Sequence, residues 1–453
     1  MKVGIDAIAF DVANIHLPIK TLAKARNIDP EKLEKGLGLL KMTLPDAHQD
    51  TVVFGANSAT KLIQDNDVSL DTIARLYVGT ESGIDNSKPI ASFISGLLEQ
   101  KFGGNALAHC DTVDFTFACI GAVDALHNCL DFIRLNPNKK AIVIATDIAK
   151  YDLGSTGEYT QGAGAVAVLL SGDPAIMAFD AEVAVSSKSV FDFFKPYRKL
   201  EKHEFLQDAD NPEWFGNLES EIEIHKDQPV FDGQYSNQCY TDRTREAYFS
   251  FKHEINFNGS LYNTWENIIM HLPYAFQGRR MLTEIYALDA SGDAQSGTSD
   301  VSIDATTLKE LSKSDGYRNF VRQKLQPSEY ASSLIGNLYT GSLFMALLSA
   351  LCENFRTQKD ISGSTFGFLA YGSGSKSKVF QGHIQPNWKS AVAKAQLFEK
   401  LDASTEIDFE VYESLHKKER HSSVRQPNNE WVLDRIESVE PNLMGARYYK
   451  WID

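Results

Sequence analysis

The 453-residue sequence predicts an α/β protein in which strand-to-helix units follow one another and their order repeats in two halves. Apolar runs of strand length end again and again in small or polar residues and give way to helical periodicity. Two of the helical stretches open on small-residue turns at comparable places in the two halves, near Cys119 and near Asn337. A hydrophobic content of 43% over this length is enough for a large core, buried as two tightly joined halves.

The first unit is the buried-strand pattern 73–79, which delivers Thr80-Glu81-Ser82-Gly83 at its carboxyl end. A β-rich approach over 114–118 leads to Cys119, after which Val123, Leu126, Leu130 and Ile133 recur at helical spacing. The run 141–146 is a second strand that delivers Asp147, and 164–170 is a third, glycine-rich one. In the other half, Gly336-Asn337-Leu338-Tyr339-Thr340-Gly341-Ser342 opens an apolar helix to about Leu351. The strand 366–371 then runs into Gly372-Ser373-Gly374-Ser375, and a further strand begins at Lys378. Cys119 and Asn337 thus take matching places, and a duplicated unit would turn both helix starts toward one central site. The halves are assigned as 1–175 and 176–453.

Two segments break the pattern. The stretch from about 199 to 228 carries Glu201, Glu204, Asp208, Asp210, Glu213, Glu219, Glu221 and Glu223 with few apolar repeats, and reads as an acidic surface insertion. From about Trp388 to Asp453 the chain is polar apart from an amphipathic piece at 409–415 and the aromatic-basic run 447–451. This extension is expected to pack on the second half.

Forty-five Lys+Arg against 60 Asp+Glu leave a formal net charge of -15, which opposes binding to nucleic acid and to anionic membrane surfaces. The five cysteines form no CxxC pair, which argues against zinc and against a disulfide framework and for a reduced cytoplasmic compartment. No apolar run approaches the length of a membrane span, and the first residues reach an acid at Asp6.

Four residues are candidates for the chemistry, and none carries a function taken singly. Cys119 sits at a helix start, where unpaired backbone N–H groups favour the thiolate, the nucleophilic form. Cys110, Cys129 and Cys352 read instead as small buried hydrophobes. Glu81, at the end of an apolar strand, is either a site carboxylate or a cap. His271 fits a satisfied core histidine as well as a site residue, and Asn337 fits a helix cap as well as a substrate contact.

Taken together, a series of segments resembles the 3-hydroxy-3-methylglutaryl-CoA synthases. They are Thr80-Glu81-Ser82-Gly83-Ile84-Asp85, Ala118-Cys119, Ile144 to Ala149 around Asp147, Gln161 to Ala167, Phe191-Asp192 to Pro196, Val230 to Gly233, His271 to Tyr274, Gly336-Asn337 to Ser342 and Tyr371 to Ser375. They stand in the family's order and cover nearly the whole chain. The resemblance implies a thiolase-like, duplicated αβαβα layered fold, a homodimer, and no cofactor beyond CoA thioesters as substrates. It implies the mevalonate-pathway condensation of acetyl-CoA with acetoacetyl-CoA. Cys119 would carry the acetyl group, Glu81 would be the general base, and His271 would polarise the acetoacetyl carbonyl. Asn337, Tyr371, Ser373, Asp147 and Asp192 would hold substrate, and Arg279 and Arg280 would meet CoA phosphates. Backbone N–H groups at Cys119 and in the 372–374 turn would form the oxyanion hole.

Three positions depart from the family pattern. Phe117 and Ile120 flank the thiol where a polar residue and a tyrosine are common, which predicts a more apolar pocket and a raised thiol pKa. Phe276 stands where a lysine is frequent. The competing readings are a polyketide β-branching relative that takes its acceptor on an acyl-carrier protein, a catalytically silent thiolase-fold protein, and a papain-like Cys-His-Asn peptidase. The last lacks that family's cysteine signature and leaves Glu81 without a task.

Overall fold

The computed structural model describes residues 1–201, 221–291 and 303–453. Most of the acidic insertion, 202–220, lies outside the described residues. Its base does not: Arg198–Glu201 pairs antiparallel with Glu221–Ile224, and Phe193–Phe194 pairs with Val230–Phe231.

The strand patterns become one mixed sheet of ten strands. Along it run Trp265–Met270, Thr365–Gly372, Lys376–Ile384, Met177–Phe179, Val3–Val12, Gly162–Gly172, Lys140–Ala149, Ile73–Gly79 and Asp111–Phe115, with Ala184–Ser187 added beside Lys376–Ile384. The short strand Met177–Phe179 is the joint between the halves, since it pairs with Val3–Val12 on one side and Lys376–Ile384 on the other.

Side-chain alternation explains the layering. In Lys140–Ala149, Ala141, Val143 and Ala145 face one core while Ile142 and Ile144 face another, and Gly162–Gly172 divides in the same way. One core is closed by the helices Thr51–Asp65 and Ile90–Phe102. The other holds Gly121–Leu135 and Gly341–Arg356, and the latter lies against strands of both halves. It is buried on every side from Gly341 to Asn354, as a helix in the middle layer must be. Two sheet halves with helices between and outside them make a thiolase-like αβαβα arrangement.

The C-terminal extension packs on both halves: the helices Trp388–Val392 and Leu397–Asp402 lie against Gly341–Arg356 of the second half, as expected, but the hairpin that follows crosses to the first. Its hairpin, Glu430–Ile436 with Arg447–Ile452, lies on Thr51–Asp65: Trp431 N–H donates to Asn57 Oδ1 at 2.7 Å and its indole N–H to Thr60 Oγ1 at 3.1 Å. Arg447 and Tyr449 both reach Asp50 at 2.9 Å. Trp431 and Trp451, invisible as partners in a polar stretch, supply the apolar surface that makes this the better face. Among the described residues no helix is long and apolar enough to cross a membrane, and no group of His, Cys, Asp and Glu could hold a metal ion.

Candidate active site

The site forms where strand ends from both halves meet. Cys119 lies in a turn after Asp111–Phe115, two residues before the helix Gly121–Leu135. Ala118 takes a left-handed φ of 39° and Ile120 N–H closes the turn on Phe117 O at 3.1 Å. Gly79 lets that helix seat against the strand end, since a Cβ there would lie 2.2 Å from Ala122 N. A similar turn precedes Gly341–Arg356, with Tyr339 at φ 44° and Gly341 N–H on Leu338 O at 2.8 Å. In this register the counterpart of Cys119 is Thr340 rather than Asn337.

Glu81 follows Ile73–Gly79 and brings its carboxylate to the thiol: Cys119 Sγ–H donates to Glu81 Oε1 at 3.0 Å. The Glu81 side chain is only 6% exposed. Burial pushes its pKa up to about 6 against the lowering pull of Lys195. Burial also drives the Cys119 thiol well above its usual value, reinforced by the Glu81 charge. This overturns the expectation that the helix start favours the thiolate, because desolvation and an adjacent carboxylate outweigh a helix dipole. Nor do Phe117 and Ile120 set the pocket's polarity. Ile120 is buried in the core against Gly372, and the Phe117 ring lies beneath Lys376 Nζ at 4.0 Å.

Cys119 opens into a cavity of about 440 Å³, whose lining includes His271, Asn337, Tyr371, Ser373 and Arg280. Asn337 Oδ1 accepts from Tyr339 N–H at 2.8 Å and Ser342 Oγ at 3.0 Å, which turns the amide NH2 away from its own loop. His271, at the end of Trp265–Met270, is buried and its Nδ1 has no partner among the described residues; burial lowers its pKa to about 3. It is a neutral imidazole. Glu81 also borders a second cavity of about 1000 Å³, which shares Phe193 and Ser373 with the first.

Three expected substrate contacts have other work. Asp147 is fully buried and accepts from Thr80 Oγ1, Glu81 N–H, Ser82 Oγ, Thr340 N–H and Thr340 Oγ1. It clamps the loops that carry Glu81 and Asn337 and lines neither cavity. Asp192 is likewise fully buried; it accepts from Tyr371 OH at 2.8 Å and Gly374 N–H at 2.7 Å. It orients Tyr371, which stacks on Tyr240 at 4.4 Å, and Gly374 is thereby unavailable as an oxyanion donor. Arg279 forms a two-pronged ion pair with the buried Glu329, lies over Phe276 and does not line the cavity. Arg280 alone reaches the cavity, held by Gly36 O at 2.8 Å and Tyr274 OH at 3.3 Å.

The sequence reading missed Lys195 and an aromatic wall of Tyr151, Phe193, Phe231 and Tyr339 around the thiol. Lys195 lies inside the quoted Phe191 to Pro196 segment. No local pattern reveals its burial, because the pairing of Phe193–Phe194 with Val230–Phe231 is what places it there.

The chain matches the family models described as Hydroxymethylglutaryl-coenzyme A synthase N terminal, over residues 1–175, and C terminal, over 221–444. A hydroxymethylglutaryl-CoA synthase of Haloferax volcanii is 31% identical, the match covering 100% of both chains. The solved structure of MvaS in complex with 3-hydroxy-3-methylglutaryl coenzyme A superposes with a TM-score of 0.82 at 29% identity, covering 100% of this chain and 99% of that one. The curacin-pathway HMG synthase in complex with acetyl donor-ACP shares the fold, with a TM-score of 0.79 at 20% identity over 100% of both chains. With both halves matched by the family models and a full-length relative at 31% identity, the chain belongs to the hydroxymethylglutaryl-CoA synthase family of enzymes.

Proposed function

We propose that the protein condenses acetyl-CoA with acetoacetyl-CoA to 3-hydroxy-3-methylglutaryl-CoA and free CoA, by way of an acetyl-cysteine. The observation that carries this is the Cys119 Sγ–Glu81 Oε1 contact of 3.0 Å at the border of the cavity that holds His271 and Asn337. Glu81 accepts the thiol proton as sulfur attacks the acetyl carbonyl, and the proton leaves on the departing CoA thiolate. The regenerated carboxylate then removes a proton from the acetyl methyl group, and the enolate adds to the ketone of acetoacetyl-CoA. A carboxylate with a pKa of about 6 is matched to this task near neutral pH. Neutral His271 donates a hydrogen bond to that ketone as it becomes an alkoxide, supported by the Asn337 amide, and the proton taken up by Glu81 is returned to the alkoxide to give the 3-hydroxyl group. Water finally cleaves the thioester, releasing the product carboxylate and restoring the thiol. Arg280, at the cavity, is suited to a CoA phosphate.

Free CoA substrates are the better reading than a carrier-bound acceptor, since the relative at 31% identity carries the CoA synthase name while the one solved with a carrier protein stands at 20%. A cytoplasmic homodimer acting in the mevalonate pathway completes the proposal. The sheet ends on Asp111–Phe115, whose outer edge pairs with no other strand among the described residues and, with Asp111 and Val113 exposed, suits pairing with a second copy. The test is to incubate the protein with acetyl-CoA, find the acetyl group by peptide mass spectrometry, then add acetoacetyl-CoA and follow free thiol. Acetyl-Cys119 and thiol release are expected. No acetylation, or acetylation that survives Cys119→Ser, overturns the mechanism.

A further inference from the structure

Beside the Glu81–Cys119 pair lies a buried cation that none of the proposed steps uses. Lys195 Nζ donates to the Glu81 backbone carbonyl at 3.0 Å and stands 3.6 Å from Glu81 Oε2. It also sits 4.6 Å from the centre of the Tyr339 ring, and its side chain is 10% exposed. One ammonium thus grips the backbone and the carboxylate of the same residue, with an aromatic face closing off its third side. We propose that Lys195 is a positioning residue for the condensation, holding Glu81 ionised and aimed at Cys119. This rests on Glu81 being the base.

The electrostatics agree with the geometry. The groups facing Glu81 are Lys195, Asp147, the Cys119 thiol, and the phenols of Tyr151 and Tyr339. Lys195 is the cation among them. Burial and Asp147 both favour the protonated acid, which cannot abstract a proton, and Lys195 opposes them. The same charge lowers the pKa of the Cys119 thiol against burial and Glu81. A single lysine therefore acts on both partners of the reacting pair in the direction that each step needs.

Three variants separate charge from scaffolding. Lys195→Arg keeps the charge, Lys195→Gln keeps a donor for the Glu81 carbonyl without charge, and Lys195→Met keeps only the bulk. The acid limb of kcat/KM for condensation should move up by about one pH unit or more in the Gln and Met variants and stay near wild type in Arg. A second readout needs no turnover: iodoacetamide alkylation of Cys119 against pH, followed by peptide mass spectrometry. Its midpoint should rise in Gln and Met. If the Gln variant keeps the wild-type acid limb and alkylation midpoint, or if all three lose rate uniformly with no shift of either, the proposal is overturned. Failure of wild-type acetylation, by contrast, would overturn the proposed function while the alkylation curves still decide the role of Lys195.

Discussion

Asp147→Asn puts the architecture of the site to a quantitative test. In the native protein Asp147 Oδ1 accepts from Thr80 Oγ1 at 3.0 Å, Glu81 N–H at 2.9 Å and Ser82 Oγ at 2.8 Å, and Oδ2 accepts from Thr340 N–H at 2.9 Å and from Thr340 Oγ1. An asparagine keeps the first set by pointing its amide NH2 at Thr340. Thr340 Oγ1 can then accept, because it also donates to Gly79 O at 3.0 Å, but the Thr340 N–H is left facing another donor. A stranded buried donor costs about 1–3 kcal/mol, and replacing charge-assisted bonds by neutral ones removes roughly 1 kcal/mol more. Relief of the buried charge offsets part of this, since burial is the first cause that raises the Asp147 pKa. The expected loss is about 2 kcal/mol of stability, roughly thirty-fold in the folding equilibrium. Because the loops of Glu81 and Asn337 share this clamp, a displacement near 1 Å would lower kcat about a hundred-fold. Denaturant unfolding followed by circular dichroism gives the first quantity, and thiol release at saturating substrates gives the second. Unchanged stability and kcat with a raised KM for acetoacetyl-CoA would show that Asp147 touches substrate, and would refute the clamp.

Other consequences follow from the same geometry. The base must be ionised to act, and Glu81 has a pKa of about 6, so kcat/KM for condensation should fall about tenfold per pH unit below that value; an acid limb near pH 4 in a rate profile would contradict it. Glu81→Ala should slow acetylation of Cys119 far less than condensation, because it removes both the proton acceptor and the anion that raises the thiol pKa; equal loss in mass-spectrometric acetylation and in thiol release would count against its role as base. Arg280→Ala should raise KM for the CoA substrates while Arg279→Ala leaves KM unchanged and destabilises the protein by about 2–3 kcal/mol, since it strands the buried Glu329; steady-state kinetics and denaturant titration distinguish the two. Trp431→Ala should cost about 3–5 kcal/mol and free the C-terminal hairpin to proteolysis, a loss measurable by unfolding and by limited digestion.

The legible features were those written within a few consecutive residues. The strand 73–79 emerged with its expected bounds as Ile73–Gly79, and the spacing of Val123, Leu126, Leu130 and Ile133 became the buried face of Gly121–Leu135. Cys119, Glu81, His271 and Asn337 could be singled out because each closes a strand or opens a helix. Arg279 and Arg280 look alike in sequence, but adjacent helical residues point about 100° apart, so one meets Glu329 and the other the cavity. Of the extension beyond Trp388, the two leading helices meet the second half as expected, but the hairpin does not, because two tryptophans in a polar stretch do not say which sheet half offers them a matching face.

Alone, the sequence determined the α/β class and the order of the units and singled out Cys119 among the five cysteines, since periodicity and strand-end polarity are local properties of the chain. Only the tertiary structure decided the state of that thiol. Lys195 reaches Glu81 across 114 residues of chain, Asp147 ties Glu81 to Thr340 of the other half, and the burial that raises the pKa of both Glu81 and Cys119 exists only once the two halves have closed. Charge and desolvation act through space, and the distances that set them are fixed by packing the whole core.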